Sequence, residues 1–534
     1  MKIVLSAIII IFLATVVAFA GHSGGGIFVG PVSTNVASVP FTLPGSDPVY
    51  YLDPSGNDSC NGTSSALGSS GNCAWATPNH ALNCGDVIIA KAGAYSSNGF
   101  GYWGTVSNCP STSGGIDGTG GIWFAVVLCG STLGTCTDDV TGTVGWAFDV
   151  TANNWAVEGW VVSTTVNNDA PAGFVADGRT VPVHHIAFVN DIAYSVGIGF
   201  GGLDNGTSHD APGASGFDYL AFVGDIAQNA EQWDGCTSEI SMAGPATVTG
   251  FTYSGTHYLM YGNFAWNTGT NGCPYDEENY MFDTWDAHGV TSQSVMMNNI
   301  GWSAYRMGIQ LTFGNYNPIT GLHDYILNNT VYNDNLANQA FGELNVQMNN
   351  DTAPYIYLYS NIAVGTQTTS CPLSVGSAGT APPLANVIAG ATGKQNILYA
   401  AISTYDTSGT CYYNGYTGSS NVNYNVDPIF TNTSDLLANQ TGAPNCTGFT
   451  NTTACMGWNA NTNTLTTPSV ISDLIPTCGA NCTGAGYQKP STTCDTSGNA
   501  YTYYPTWLKG IVYLQWTGTS ITENGDLVTK PCGS

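Results

Sequence analysis

Short β-branched and aromatic runs recur through the middle of the chain: HHIAFV (184–189), DYLAFV (218–223), HYLMY (257–261), QSVMM (293–297), HDYIL (323–327) and YIYLY (355–359). Each gives way to a polar or glycine-containing pair. A second short apolar run follows, such as IAYS, FAWN or IGWS. Runs of this length, punctuated by Gly and Asn, predict strand–turn–strand rather than amphipathic helix.

The punctuation is in register. VNDIAY (189–194), VGDIAQ (223–228), YGNFAW (261–266), MNNIGW (297–302), LNNTVY (327–332) and YSNIAV (359–364) share one pattern, with a weaker copy in VEGWVV (157–162). The third positions are Gly159, Asp191, Asp225, Asn263, Asn299, Asn329 and Asn361, at gaps of 32, 34, 38, 36, 30 and 32 residues. A period in the thirties with insertions of variable length predicts a stacked repeat. Asn, Asp and Gly at a tight bend tolerate the left-handed backbone. Stacked coil on coil, their side chains can also bond in a ladder.

Composition fits such a chain. Of 534 residues, 43% are hydrophobic and only 8% charged; 67 glycines with abundant Ser, Thr and Asn supply the polar surface. That mixture points to a β-rich, turn-rich extracellular protein. The net charge of −27, with 8 basic residues, disfavours nucleic acid as a partner. A polyanionic glycan meets the same repulsion unless a cation bridges it. So few basic residues also imply tolerance of acid, because little positive charge remains to repel once carboxylates are protonated.

Met1-Lys2, an apolar run from Ile3 to Val17 and Ala18-Phe19-Ala20 read as a secretory signal peptide over 1–20, with an uncleaved anchor as the alternative. No other segment is apolar enough to span a membrane. A secreted or cell-surface location follows. All sixteen cysteines lie beyond Ala20, an even count that reads as disulfides. The candidates cluster at the two ends: Cys60, Cys73, Cys84, Cys109, Cys129 and Cys136, then Cys446, Cys455, Cys478, Cys482, Cys494 and Cys532.

The repeat resembles that of the right-handed parallel β-helix proteins, the pectate-lyase-like superfamily. YYLDPSGNDSCNGT (50–63) and WATPNHALNCGDVIIAKAGAY (75–95) resemble that family's entry segment: a strand, a short helix, then a Gly-Asp-x-Ile strand. DPIF (427–430) resembles the exit segment. The resemblance implies a single-stranded solenoid of about eight to ten coils with covered ends. It divides the chain into 21–47 (a Gly/Ser/Pro-rich lead), 48–145 (entry cap and first coils), 146–430 (core) and 431–534 (a Cys-rich cap or accessory region).

In that architecture a third sheet follows the loop after each bend, and its outer face forms the ligand cleft. The corresponding strands are IGFGG (198–202), EISMA (239–243), YMFDTW (280–285), MGIQLT (307–312) and ELNVQM (343–348). Alternation then points Ile240, Met242, Phe282, Ile309, Leu311, Leu344, Val346 and Met348 inward. Glu239, Asp283, Gln310, Glu343 and Gln347 point outward, and loops add Asp204, Glu231, Asp234, Asp276, Glu277 and Glu278. Arg306 falls one coil after Asp283 and is expected within its reach.

Three functions compete. A polysaccharide lyase would use Asp276, Asp283 and Asp286 to hold Ca²⁺, with Arg306 or His288 as base or neutraliser. A glycoside hydrolase would pair Asp283 with Glu239 or Glu343. A non-catalytic adhesin would bind glycan on the same face or bind nothing. Gln310, Gln347, Trp285, Trp302 and Tyr305 are candidate sugar contacts. The family's lyase and polygalacturonase signatures are absent. Arg306 also reads as a structural ion-pair partner, and His288, beside Gly289, as a turn residue. The partner in every case is extracellular polysaccharide or glycan.

Overall fold

The computed structural model describes residues 49–424 with breaks at 96–99, 102, 111–121, 131–132, 134, 141–145, 165–171, 205–214, 230–237, 247–255, 267–276, 284–292, 314–322, 339–341, 349–354, 369–370, 377–386 and 401–421. Beyond them it describes 427–430, 452–456, 482–488, 506–508 and shorter stretches up to 523. The expected signal peptide and the 21–47 lead lie outside these residues.

Three all-parallel sheets carry the fold. The first has eleven strands, from Val49–Leu52 to Val387–Ala389; the second also has eleven, from Gly93–Ala94 to Val422–Tyr424; the third has eight, from Phe148–Val150 to Cys371–Gly376. From Ala125 to Ala400 the chain visits first, second and third sheet in rotation, and each strand pairs with its equivalents one coil away. This is a parallel β-helix, as the repeat predicts, with slightly more levels than expected. Inward side chains of all three sheets make one continuous core. Ile186, Phe188, Phe200, Ile240, Tyr280, Ile309 and Leu344 are among its members.

The bends divide two jobs that the sequence assigns to one position. The second residue takes the left-handed backbone: Asn190, Gly224, Gly262, Asn298, Asn328 and Ser360 have φ between 52° and 69°. The third residue points inward and forms the ladder. Asn299 Nδ2 donates to Asn329 Oδ1 (2.9 Å) and to the Met260 carbonyl (3.1 Å), and its own Oδ1 accepts from Asn263 Nδ2 (3.0 Å). The ladder runs one rung past the expected end, to Asn396, whose Oδ1 accepts from Asn361 Nδ2 (3.0 Å). The earliest copy is one residue out of register. Glu158 pairs with Val189 and Val161 with Ile192, so Gly159 aligns with Asn190 and Trp160 takes the ladder position.

The C-terminal region lies along the flank of the solenoid. The second-position side chains clip it there: Asn298 Oδ1 accepts from the Gln488 N–H (2.6 Å), and Asn298 and Asn328 donate to the Gln488 and Gly484 carbonyls. Cys446, Met456, Leu474 and Tyr487 cover the second sheet's outer Ile192, Ile226, Phe264 and Ile300. Trp507 and Leu508 cover the first sheet. There a ring stack of Trp123, His185, Tyr219 and His257, at 4.2, 4.2 and 4.0 Å, lies beneath Trp507. His185 and Tyr219 reach that face because each has a positive φ (52° and 49°), interrupting the alternation of its strand.

The entry segment pairs Val49–Leu52 with Val87–Ala90 as the resemblance implied. The short helix between them does not form; turns and bends span 53–81. Asp58 organises that stretch instead by accepting from the Ala76 and Thr77 N–H groups. Disulfides join Cys60–Cys73, Cys84–Cys109, Cys129–Cys136, Cys446–Cys455 and Cys478–Cys482. Cys371 is disulfide-bonded too. Of the remaining candidates, the Cys494 side chain and Cys532 lie outside the described residues.

Candidate functional site on the outer face of the third sheet

With the first two sheets covered by the chain itself, the third is the face whose outward positions are polar. Its strands match the sequence reading closely: Phe200–Leu203, Ile240–Ala243, Glu278–Asp283, Met307–Phe313 and Gly342–Met348. Two outward rows run across it. One contains Asp149, Val175, Gly201, Ser241, Met281, Gln310, Asn345 and Ser374. The other contains Asp177, Leu203, Ala243, Asp283 and Thr312.

The middle of the first row is nearly closed. Gln310 is 2% exposed and donates from Nε2 to Thr312 Oγ1 (2.7 Å), while Ser374 donates to Asn345 Oδ1 (2.6 Å). Accessible polar groups lie along the C-terminal ends of the strands, where Arg179, Asp204 and Asp283 are half-buried, and beside them at Phe148–Val150, where Asp149 and the preceding Trp146 are half-buried too.

Asp149 and Asp177 come from adjacent coils and share a side-chain hydrogen bond. Arg179 grips Asp177 with two parallel bonds, Nε to Oδ1 at 2.9 Å and Nη2 to Oδ2 at 3.0 Å. The guanidinium lies 3.9 Å over the Trp146 ring, a cation–π contact. Burial, and then the neighbouring Asp177 charge, push the Asp149 carboxyl up to about 7, against the opposing pull of Arg179. Asp149 Oδ1 is buried without a hydrogen-bond partner. Around this cluster Ala172, Val175, Ile198 and Leu203 form a small apolar floor.

Further along the edge, Asp204 lies over Gly244. A Cβ there would meet Asp204 Oδ2 at 2.6 Å, and Gly244 N–H donates to the Asp283 carbonyl at 3.1 Å. Gly244, at φ +83°, therefore makes room for Asp204 beside the Asp283 strand.

Several sequence assignments need correction. Arg306 does not sit beside Asp283. Its strand pairs Met307 with Glu278 and Thr312 with Asp283, so the two lie at opposite strand ends, about 17 Å apart. Arg306 is buried and pairs with Glu277 (Nε to Oε2, 3.6 Å). Glu239 and Glu343 are not on the outer face. Both are fully buried at the corner entering the third sheet, where Glu343 Oε2 accepts from the Asp334 N–H (2.9 Å) and Asp334 Oδ1 from Asn279 Nδ2 (3.0 Å). Glu239 precedes its strand and Glu343 lies at the start of Gly342–Met348, a corner where the alternation does not hold.

Trp302 is fully buried and stacks on Trp266 at 4.5 Å, a packing residue. Tyr305 is half-buried in the loop before the Met307 strand. Asp276, Trp285, Asp286, His288, Glu231, Asp234 and the Gln347 side chain lie outside the described residues. Two of the three expected calcium ligands are therefore among these, and no group of three His, Cys, Asp or Glu side chains placed to hold a metal occurs among the described residues. No described helix is long and apolar enough to cross a membrane.

The Asp149–Asp177–Arg179 cluster was missed by sequence reasoning, which assigned none of the three a role. Carrying the third-sheet pattern back two more coils, past IGFGG, sets Asp177 and Asp149 on one face.

No protein-family model and no curated protein matches the sequence. Among solved structures the chain is similar to pectate lyase Pel9A, at 15% identity over 86% of this chain and 96% of that one, with a TM-score of 0.41. A rhamnogalacturonan lyase gives 13% identity over 75% and 94%, with a TM-score of 0.34. The A-module of the Azotobacter vinelandii mannuronan C-5 epimerase AlgE4 gives 13% over 60% and 91%, with a TM-score of 0.25. The parallel β-helix itself is established by the chain's own strand order and register.

Proposed function

We propose that the protein cleaves extracellular polysaccharide along the C-terminal edge of the third sheet, with Asp149 as proton donor. The Asp149–Asp177–Arg179 arrangement carries this reading. Breaking a glycosidic C–O bond by elimination or by hydrolysis leaves an oxygen that needs a proton. A carboxyl pushed up to about 7 still holds one near neutrality and gives it up readily. Arg179 fixes Asp177, which in turn fixes the orientation of Asp149. Asp204 and Asp283 lie further along the same edge. Asp177 and Asp283 are three coils apart, about 14 Å, room for a short oligosaccharide. Asp283 would contact the sugar or help to hold Ca²⁺.

Incubation with a polysaccharide panel, with and without chelator, tests this. Unsaturated products absorbing in the ultraviolet mark a lyase, and new reducing ends without that absorbance mark a hydrolase. Chelator sensitivity marks a calcium requirement. Asp149→Asn is expected to lower kcat by about 10²–10⁴ with little change in KM. In the wild type, activity should fall as pH rises past about 7, where Asp149 loses its proton. Full activity in Asp149→Asn would refute the assignment.

A second reading is a non-catalytic glycan-binding protein that holds its ligand along the same edge, where Asp204 and Asp283 are half-buried; Gln310, Asn345 and Ser374 are closed off and bonded within the protein. Glycan binding without product release from any substrate would support it.

A further inference from the structure

The interior ladder is made of amides at five rungs and acids at two. Asn263, Asn299, Asn329, Asn361 and Asn396 each donate from Nδ2 to a backbone carbonyl of the preceding coil: Phe222, Met260, Met296, Ile326 and Leu358. That carbonyl is always three residues before the preceding rung. Asn263 through Asn361 also donate from Nδ2 to the next rung's Oδ1.

Asp225 occupies the rung below Asn263. Its Oδ1 accepts from the Asp191 N–H at 2.9 Å. Its Oδ2 stands where an amide nitrogen stands in the other rungs, and it is buried without a hydrogen-bond partner. The repeat surrounds that atom with the Phe188 carbonyl and Asn263 Oδ1. Both are acceptors, and Asn263 Oδ1 already takes the Asp225 N–H at 2.8 Å. A carboxylate oxygen here would face these two acceptors, with the Val223 N–H as the backbone donor on its own side of the bend. An O–H would donate as the amide does.

We propose that Asp225 is built into the ladder as a neutral carboxylic acid, and that its ionisation in alkaline medium unlocks the corner to which the C-terminal segment is clipped. The clip is adjacent. Thr452 donates through its N–H to Asn190 Oδ1 and through its hydroxyl to the Gly224 carbonyl, the residues immediately before Asp191 and Asp225.

The titratable groups facing Asp225 are both acids. Asp191, from the preceding coil, accepts from the Trp160 N–H (2.8 Å) and the Val189 N–H (3.2 Å). Glu158 lies another coil back. The docked Thr452–Cys455 turn brings no charged side chain, and Asn263 is neutral. Complete burial, then the charge of Asp191, hold the Asp225 carboxyl well above the usual carboxylate range.

The experiment follows thermal unfolding of the full chain and of Asp225→Asn from about pH 5 to about pH 9. Limited proteolysis of the C-terminal segment runs in parallel. Wild type is expected to lose several degrees of Tm as pH rises and to become cleavable around Cys446–Cys455. Asp225→Asn, which supplies the missing donor, should keep its Tm and its resistance in alkaline medium. Equal pH dependence in the two proteins would overturn the proposal. If the variant does not fold, infrared spectroscopy of the wild type decides. A protonated-carboxyl band that persists near neutrality and disappears together with the protection of the C-terminal segment supports the proposal; its absence near neutrality overturns it.

Discussion

Asn298 and Asn299 are neighbours of one residue type with opposite duties. Asn298 takes the left-handed turn and reaches outward to the C-terminal segment; Asn299 reaches inward to the ladder. The sequence shows that both positions favour Asn because both tolerate a bend. It does not show which side chain turns in, since that depends on which residue adopts the positive φ. Removing Asn299 orphans the buried Asn263 N–H, at about 1–3 kcal/mol, and takes one of the two bonds of its amide, which keeps the Phe222 carbonyl. Asn299→Ala is therefore expected to unfold at lower denaturant than Asn298→Ala, whose lost bonds go to the half-buried Gln488 of the C-terminal segment. A second buried acid, Asp324, is pushed up to about 7 by burial, with Ser294 pulling the other way. An acid whose pKa is higher in the folded chain favours folding while protonated. That contribution is complete below about pH 4 and gone above about pH 7. Asp324→Asn should flatten the fall in Tm across this window.

At the scale of strands, register decides which residues meet. The third-sheet strands are legible because their apolar positions alternate over four or more residues. Their outer partners are not, because a one-coil offset says nothing about position along the strand. Hence Asp283 and Arg306, adjacent by coil, lie at opposite strand ends, while Glu277 receives the guanidinium. Glu277 also has φ +152°, a conformation that side chains rarely adopt. Arg306→Ala leaves Glu277 buried without its countercharge and is expected to cost about 3–5 kcal/mol, measured by denaturant unfolding. The Asp149 pair was illegible for a related reason. Its coils fall before the bend motif becomes regular, so those two acids come together only when the third-sheet register is carried back beyond the regular copies.

At the scale of the molecule, the fold was readable because the same bend recurs, and the flanking cover was not, because the C-terminal region has no repeat. That cover changes how the solenoid behaves. Stacked repeats ordinarily unfold as a nearest-neighbour chain, each coil stabilised by the two beside it. Here Thr452 binds beside Asp191 and Asp225, Tyr487 at Thr330, Gly486 at Ser360 and Trp507 at Thr256. One segment thus couples levels that never touch directly. Opening any of them disturbs bonds several coils away, so the array should melt in a single sharp transition. A chain shortened to end before Cys446 would come apart level by level, with a broad calorimetric profile.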